Sequence, residues 1–251
     1  IKLAARLLYL VKADVRLASF VGGIKHNAVP GNAEVVFATD KFDSLKEGLD
    51  ALVADLKEEY RVEDPGLTIS FTEVTADQVY TKDLSDSVID MIMALPDGVQ
   101  YMSKDIEGLV QTSLNNSVIL ENDGKLVLTT SVRSASSSSL REILNRVTII
   151  ANRMGAVARE YSSYPAWQYE AVSPLRDIAE KIYVEMYGKE PNITSIHAGL
   201  ECGLLKGILP NTDMISYGPS IFDAHTPKEH MYISSVERVW EYTKKLLAAL
   251  K

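Results

Sequence analysis

The sequence predicts an α+β fold that contains a duplicated module and is followed by a shorter α/β segment. The order helix, strand, strand, helix, strand occurs twice, over about residues 1–75 and 82–163. Over residues 164–251, single strands and helices alternate instead. A repeated order of elements is typical of a duplicated unit, so we expect the two copies to share a sheet that has helices on one face.

Hydrophobic periodicity defines the elements of the first copy. Apolar residues recur at helical spacing in the opening segment and again over 42–60. Between these helices lie two segments rich in β-branched or aromatic residues, joined by a turn of Gly, Asn and Pro. The predicted elements are an opening helix, strands 15–23 and 32–40, a helix 42–60 and a strand 67–74.

The second copy follows the same order, with an NDG turn between its first two strands. Few residues are identical between the copies, so the duplication is one of pattern. An exposed edge of the shared sheet, or its helical face, is the expected dimer surface. The predicted elements are helix 82–95, strands 108–121 and 125–134, helix 136–154 and strand 156–162.

A boundary is predicted at SSYPAWQYE, residues 162–170, where proline and aromatic residues interrupt the pattern. The next helix, 173–188, has Ser173 as N-cap, Pro174 at its first position and Gly188 at its end. Only two strands are predicted here, too few for a layered α/β sheet. The remaining predicted elements are strand 192–199, helix 200–208, strand 213–219 and helix 234–251.

Composition excludes several classes of function. The formal net charge is −8, with scattered lysines and arginines, so nucleic acid is not expected as a partner. A single cysteine cannot form an internal disulfide, and nothing indicates an oxidising compartment. The apolar runs are too short to span a bilayer, so no membrane segment is expected.

The stretch SIHAGLECGLL, residues 195–205, places a histidine, a carboxylate and the cysteine close together. His197 and Glu201 are four residues apart, a spacing that can place two metal ligands on one helical face. The second histidine of an HEXXH site is missing, however. Cys202 is interpreted as a small buried hydrophobic residue. The stretch is therefore either a site or a packed turn.

Three further residues are candidates for a site, each with a simpler alternative. His225 follows a predicted strand in the loop GPSIFDAHTPKEH, where ligands concentrate, although most loop histidines are only solvated. Arg133 ends a strand and could form a structural ion pair. Asn27, in GGIKHNAVP, could be a turn residue only. The pair Glu58 and Glu59 is interpreted as a solvated helix face.

Together, four of these stretches resemble a known family. GGIKHNAVP, SVRS, IHAGLECG and SYGPSIFDAHTPKE are similar to motifs of the aminoacyl-histidine dipeptidases, the PepD or Xaa-His dipeptidase branch of the M20 di-zinc metallopeptidases. The resemblance covers essentially the whole chain. It implies that residues 1–163 are the lid, with two ferredoxin-like halves that also serve dimerisation. It implies that residues 164–251 are the C-terminal part of an α/β zinc-peptidase catalytic domain.

The resemblance also implies roles for individual residues. His225 matches a zinc ligand, and Arg133 matches the lid arginine that holds the carboxylate of the substrate. Asn27 matches the lid asparagine near that carboxylate or the scissile carbonyl. Gly199 would contact the substrate through its backbone, and Glu201 would orient the amino end of the substrate or the loop.

The chain departs from the family pattern in its metal ligands. It has no H-x-D motif, and its Glu58-Glu59 pair lies in a predicted lid helix rather than at the metal. The complete enzyme is expected to hold two zinc ions, of which this chain supplies one ligand. It also lacks the family's general base, so no catalytic residue is predicted in it.

The sequence therefore supports one main hypothesis and two alternatives. The main hypothesis is a portion of a cytoplasmic, homodimeric metallodipeptidase that cleaves Xaa-His dipeptides of the carnosine type through a metal-bound water and is inactive as this chain alone. One alternative is a non-catalytic dimerisation or small-molecule-binding protein derived from the lid. The other is a different M20 amidohydrolase, such as an aminoacylase or a tripeptidase.

Overall fold

The chain forms two compact units in a computed structural model, which describes residues 1–162, 165, 167–194, 201–224 and 226–250. The first unit comprises Ile1–Met102, Val110–Ser134 and Ser138–Tyr161, and the second comprises Ser103–Leu109, Ala135–Ser137 and Ser162–Lys251. None of the helices within these described residues is both long and apolar enough to span a membrane.

The first unit combines four helices with an antiparallel sheet. Its elements in chain order are α1 (Lys2–Val11), β1 (Arg16–Gly22), β2 (Ala33–Ala38), α2 (Phe42–Glu59), α3 (Lys82–Ala94), β3 (Gly98–Met102), β4 (Val110–Asn122), β5 (Lys125–Ser134) and α4 (Ser137–Arg153). Thr81 caps α3, because its hydroxyl accepts a hydrogen bond from the backbone N–H of Leu84. A tight turn with left-handed Asp123 and Gly124 joins β4 to β5.

Strand β4 is the long central strand of the sheet. Strand β5 pairs along one of its edges, from Thr112↔Ser134 to Asn122↔Lys125. Strands β3 and β1 share the other edge, with β3 paired near Leu114 and β1 paired at Ile119. Strand β2 extends the sheet beyond β1. On this edge, segment 115–118 of β4 lies between the residues paired with β3 and those paired with β1, so groups outside the sheet can contact it.

One face of the sheet is covered by helices and carries the core. Leu17 and Phe20 of β1 and Ile119 of β4 pack against α1 and α3 and are almost completely buried. On the opposite face, Val21 and Leu120 are 41% and 40% exposed. This difference in burial shows that the second face of the sheet is open, and we call it the open face.

The helices and the four strands predicted from 15–23, 32–40, 108–121 and 125–134 are confirmed, but the last predicted strand of each copy is wrong. Segments 67–74 and 156–162 pair with no strand in the described part of the chain. In the first of them, Leu67, Ile69 and Phe71 pack against the α1–α2 core. Their alternation reflects side-chain burial without a hydrogen-bonded ladder. The short, largely exposed strand β3 was not predicted, because it has no clear apolar alternation.

The second unit is built around two helices that pack together. Its elements are α5 (Pro174–Tyr187), α6 (Glu201–Ile208), β6 (Ile221–Phe222), β7 (His230–Met231) and α7 (Ile233–Ala249). Ala179 and Ile182 of α5 pack against Tyr242 and Leu246 of α7. The hydroxyl of Tyr242 donates a 2.9 Å hydrogen bond to the carbonyl oxygen of Ala179, so the buried phenol is satisfied.

The start of α5 is held by a carboxylate from elsewhere in the unit. The hydroxyl of Ser173 caps the helix, accepting from the backbone N–H of Arg176, and donates to Asp213 at 2.8 Å. The backbone N–H of Leu175 also donates to Asp213 at 2.8 Å. Burial opposes ionisation of Asp213, but hydrogen bonds from Leu175, Ser173 and Met214 outweigh burial and lower the pKa of its carboxyl.

The predicted cap of α5 is confirmed, whereas the predicted strands of this segment are not. Ser173, Pro174 and left-handed Gly188 occupy their predicted positions. Segment 213–219 pairs with no other strand in the described part of the chain; the side chain of Asp213 accepts from the start of α5, and Tyr217 packs on Tyr242. Part of the predicted strand 192–199 lies outside the described residues. The small hairpin of β6 and β7 was not predicted.

The first prediction concerns Gly23, which has a positive φ of 70°. An added Cβ would lie 1.8 Å from the carbonyl oxygen of Ser117. We expect Gly23→Ala to lower the free energy of unfolding by about 2–4 kcal/mol, measured by urea denaturation. Gly155→Ala is the matched control, because Gly155 has a φ of 75° and open space around it, and should cost only about 1 kcal/mol. Equal losses would contradict the close contact.

The second prediction concerns Asp213. Its lowered pKa means that it stabilises the fold above pH 3.8, its ordinary pKa, and that this contribution is lost as the pH falls through the folded-state value. Asp213→Ala should lower the free energy of unfolding by about 1–3 kcal/mol at neutral pH and by less in acid. The exposed Glu237 is the control, and Glu237→Ala should change stability by less than about 0.5 kcal/mol. A loss for Asp213→Ala that did not depend on pH would contradict the ionised role.

Candidate functional site

The predicted site residues are divided between the two units and the undescribed positions. Asn27 and Arg133 lie in the first unit, and Glu201 lies in the second. Gly199, His225 and His197 are outside the described residues. The structure therefore shows the surroundings of Glu201 and of the two residues to which the family resemblance assigns substrate binding in the lid.

Asn27 lies in the loop that connects β1 to β2, which we call the β1–β2 loop (residues 23–32). The backbone N–H of Gly23 donates to the carbonyl oxygen of Asn32 at 3.1 Å and closes the base of the loop. A turn follows, in which the N–H of Ala28 donates to the carbonyl oxygen of Lys25 at 3.2 Å. Asn27 itself is exposed at this turn. Its amide group is consequently accessible to a ligand.

The β1–β2 loop is attached to strand β4 at two points. Gly23 lies so close to the carbonyl of Ser117 that only a glycine fits. Further along the loop, the side-chain amide of Asn115 donates a 2.7 Å hydrogen bond to the carbonyl oxygen of Ala28, the residue after Asn27. The position of Asn27 is thus set by strand β4 rather than by the loop alone.

Arg133 lies on β5 opposite Ser113 of β4. Residues that are directly opposite in an antiparallel pair place their side chains on the same face of the sheet. Ser113 and Asn115 are two residues apart on one strand, so they also share a face, about 7 Å apart along the strand. Arg133 is exposed, and so lies on the open face beside the attachment point of the β1–β2 loop. The structure brings Asn27 and Arg133 to the same region.

A buried polar network holds β4 at this region. The carboxylate of Asp97 accepts from the backbone N–H and from the side-chain amide of Asn116, both at 3.0 Å. The hydroxyl of Thr130 donates to the side-chain carbonyl of Asn116 at 3.0 Å. Asn116 is only 1% exposed, so these bonds are shielded from water. They fix the bulge of β4 next to Asn115.

Glu201 begins helix α6 and is exposed. A carboxylate in the first turn is favourable because of the helix dipole, so this position has a structural explanation as well. Helix α6 packs tightly through Gly203, where an added Cβ would lie 2.8 Å from the carbonyl oxygen of Pro165. Cys202 is partly buried. The substrate role of Glu201 stays a prediction.

The described residues on either side of position 225 form the β6–β7 hairpin. Thr226 closes it, because its N–H and its hydroxyl both donate to the carbonyl oxygen of Asp223, at 3.1 and 2.7 Å. The ring of Phe222 stacks on His230 with centroids 5.3 Å apart. His230 also contacts the carbonyl oxygen of Lys228 through Nδ1 at 2.9 Å. These contacts order the described residues of the hairpin, and the zinc role of His225 stays a prediction.

The residues described by the structure do not form a zinc site by themselves. Among them, no three His, Cys, Asp or Glu side chains are grouped so that they could hold a metal ion. Of the Glu58-Glu59 pair, Glu59 accepts two hydrogen bonds from the guanidinium of Arg6, at 2.8 and 2.9 Å, which lower the pKa of its carboxyl. This pair therefore has a structural role on α2, in agreement with its interpretation as part of a helix face.

The importance of Asn115 was not predicted from the sequence. The only local signal is the pair Asn115-Asn116 inside a predicted strand, where asparagine is disfavoured. Two polar residues in such a place indicate a specific structural or binding task. Which task it is depends on the β1–β2 loop, which is distant in the sequence.

Comparison with known proteins agrees with the motifs. No protein-family model matches the chain. The chain is 34% identical to the cytosol non-specific dipeptidase of Escherichia coli (strain K12), over 98% of this chain and 52% of that protein. It also superposes on the crystal structure of aminoacylhistidine dipeptidase from Vibrio alginolyticus, with a TM-score of 0.90 and 35% identity, over 99% of this chain and 52% of that one.

The two comparisons point to the same group of enzymes, and the resemblance inferred from the motifs is confirmed. In both cases the match covers nearly all of this chain. The chain spans about half the length of the relatives that it matches. In sequence and in fold, nearly all of this chain is similar to about half of each of these two dipeptidases.

Proposed function

We propose that this chain is the substrate-binding portion of an M20 dipeptidase that cleaves Xaa-His dipeptides. The observation that carries the proposal is the match in sequence and fold over nearly the whole chain, at 34% and 35% identity. One relative is named a non-specific dipeptidase and the other an aminoacylhistidine dipeptidase. A dipeptide is the substrate class that these names share, and the preference for histidine comes from the second name and the motifs.

The first unit would supply the groups that hold the dipeptide. A guanidinium can bind a carboxylate through two parallel hydrogen bonds, so Arg133 is suited to the free carboxylate of the substrate. The exposed amide of Asn27 would bind the same carboxylate or the scissile carbonyl. Their common location at the open face supports this assignment. Glu201 and Gly199 would contact the amino end of the substrate or its backbone.

The complete enzyme would hold two zinc ions, as the family does, and His225 would be one ligand. The described residues do not make up such a site, so the other ligands and the general base would come from sequence beyond this chain. For that reason we assign no catalytic residue here. What this chain contributes to the reaction is the binding and orientation of the dipeptide.

Exposed apolar side chains on the second unit support the proposal that further sequence belongs to this enzyme. On α7, Ile233, Trp240 and Leu247 are spaced by seven residues and are 84%, 60% and 61% exposed. Residues at this spacing lie on one face of a helix. An apolar stripe of this size is typical of a surface that packs against protein. We assign residues 1–163 to the lid and 164–251 to the catalytic domain, whose remainder would cover this stripe.

The position of β5 in the sheet supports a homodimer. Among the described strands β5 pairs with β4 alone, and a strand at the edge of a sheet is a place where a second copy can add. The same edge would serve the alternative function, a non-catalytic dimerisation protein derived from the lid. The name of the E. coli relative places that protein in the cytosol, which supports a cytoplasmic location for the enzyme proposed here.

The third prediction tests the substrate role of Arg133 in the complete enzyme. Arg133→Lys keeps the charge but loses the planar pair of donors, so KM for a Xaa-His dipeptide should rise about tenfold or more, with a smaller change in kcat. The exposed Arg153, in the last turn of α4, is the matched control, and Arg153→Lys should leave KM unchanged. The 251-residue chain alone should show no cleavage.

Two outcomes would contradict the proposal. Metal-dependent cleavage by the pure 251-residue chain would show that it is a complete enzyme. An unchanged KM in Arg133→Lys would show that the arginine does not hold the substrate.

A further inference from the structure

We infer that Asn115 is a positioning residue, which sets the place of Asn27 relative to Arg133 in the substrate site. The inference rests on the proposed function, because it concerns the two residues proposed to hold the dipeptide. It assigns a task to a residue that touches the β1–β2 loop and not the substrate.

The geometry gives Asn115 a place between the two binding residues. Its side-chain amide donates to the carbonyl oxygen of Ala28 at 2.7 Å, directly after Asn27. Along β4 it is two residues from Ser113, the cross-strand partner of Arg133. Strand β4 therefore carries both the residue that contacts the Asn27 turn and the residue that pairs with Arg133.

Beyond its base, the β1–β2 loop adds little side-chain packing that would hold the Asn27 turn against the sheet. The base of the loop is fixed by Gly23 and Asn32, but Ile24 and Val29 beyond it are 86% and 83% exposed. Large apolar side chains that remain in water add no packing to hold the turn. Among the contacts of the described residues, the hydrogen bond from Asn115 ties this part of the loop to the sheet.

Strand β4 can act as a rigid reference because its own position is fixed. The neighbouring Asn116 is buried and bonded to Asp97 and Thr130. The backbone of Asn115 is paired with Ser131 of β5. Loss of the Asn115 donor is expected to release the loop without moving the strand.

The Asn115→Asp variant removes the hydrogen bond without changing the size of the side chain. Aspartate has the same shape but, when ionised, cannot donate and would repel the carbonyl oxygen of Ala28. Asn115→Ser, which is shorter and uncharged, is the second variant. Asn152→Asp is the matched control, because Asn152 is exposed on α4 and the substitution adds the same charge there.

The fourth prediction has two readouts. In the 251-residue chain, amide hydrogen exchange of residues 24–31 should become about tenfold faster in both Asn115 variants, while exchange in β4 and β5 stays the same. In the complete enzyme, both variants should raise KM for a Xaa-His dipeptide about three- to tenfold, with kcat changed less than about twofold. Asn152→Asp should change neither readout.

A double variant tests whether Asn115 acts through Asn27. If it does, Asn115→Asp should raise KM no further once Asn27 has been changed to alanine. An equal rise in KM in both backgrounds, or unchanged exchange of the loop, would overturn the inference while leaving the proposed function intact. If Asn27→Ala alone left KM unchanged, the substrate role of Asn27 and the inference built on it would both fail, whereas the loop contact would still appear in the exchange data.

Discussion

The packing of the β1–β2 loop against strand β4 is the constraint on which the candidate site depends. Gly23 approaches the carbonyl of Ser117 too closely for any side chain, and Asn115 binds the loop a few residues later. On its other edge, β4 pairs with the strand that carries Arg133. Asn27 and Arg133 are far apart in the sequence, but both are positioned by this one rigid strand. Since the proposed dipeptide site needs donors at fixed separations, this strand would set those separations.

The two units contribute different kinds of group to the proposed enzyme. The first unit offers a guanidinium and amides, which are suited to carboxylate and carbonyl oxygens. The second unit contains the β6–β7 hairpin, which the Thr226 hydroxyl closes, and an apolar stripe on α7. In the proposed enzyme, substrate binding and the metal centre would thus draw on different parts of the chain.

The sequence predicted the helices well because each is amphipathic and several have clear caps, such as Ser173 and Gly188 around α5. Alternation was a weaker guide to strands. It correctly indicated which side chains of 67–71 face the core, but it cannot tell whether the backbone finds a partner. Motifs identified Asn27 and Arg133 as candidates. The contact of Asn115 was not predictable, because it depends on a loop almost ninety residues away that is brought to β4 by the fold.

We propose that this chain is a substrate-binding portion of a larger metallodipeptidase and does not hold a complete metal site by itself. The most direct test is elemental analysis of the purified 251-residue chain after exposure to zinc and desalting. We expect the chain to retain no stoichiometric zinc, because His225 alone cannot make up a four-coordinate site. Retention of about two zinc ions per chain would contradict it, because a complete centre would then be present in this chain or formed between two copies of it.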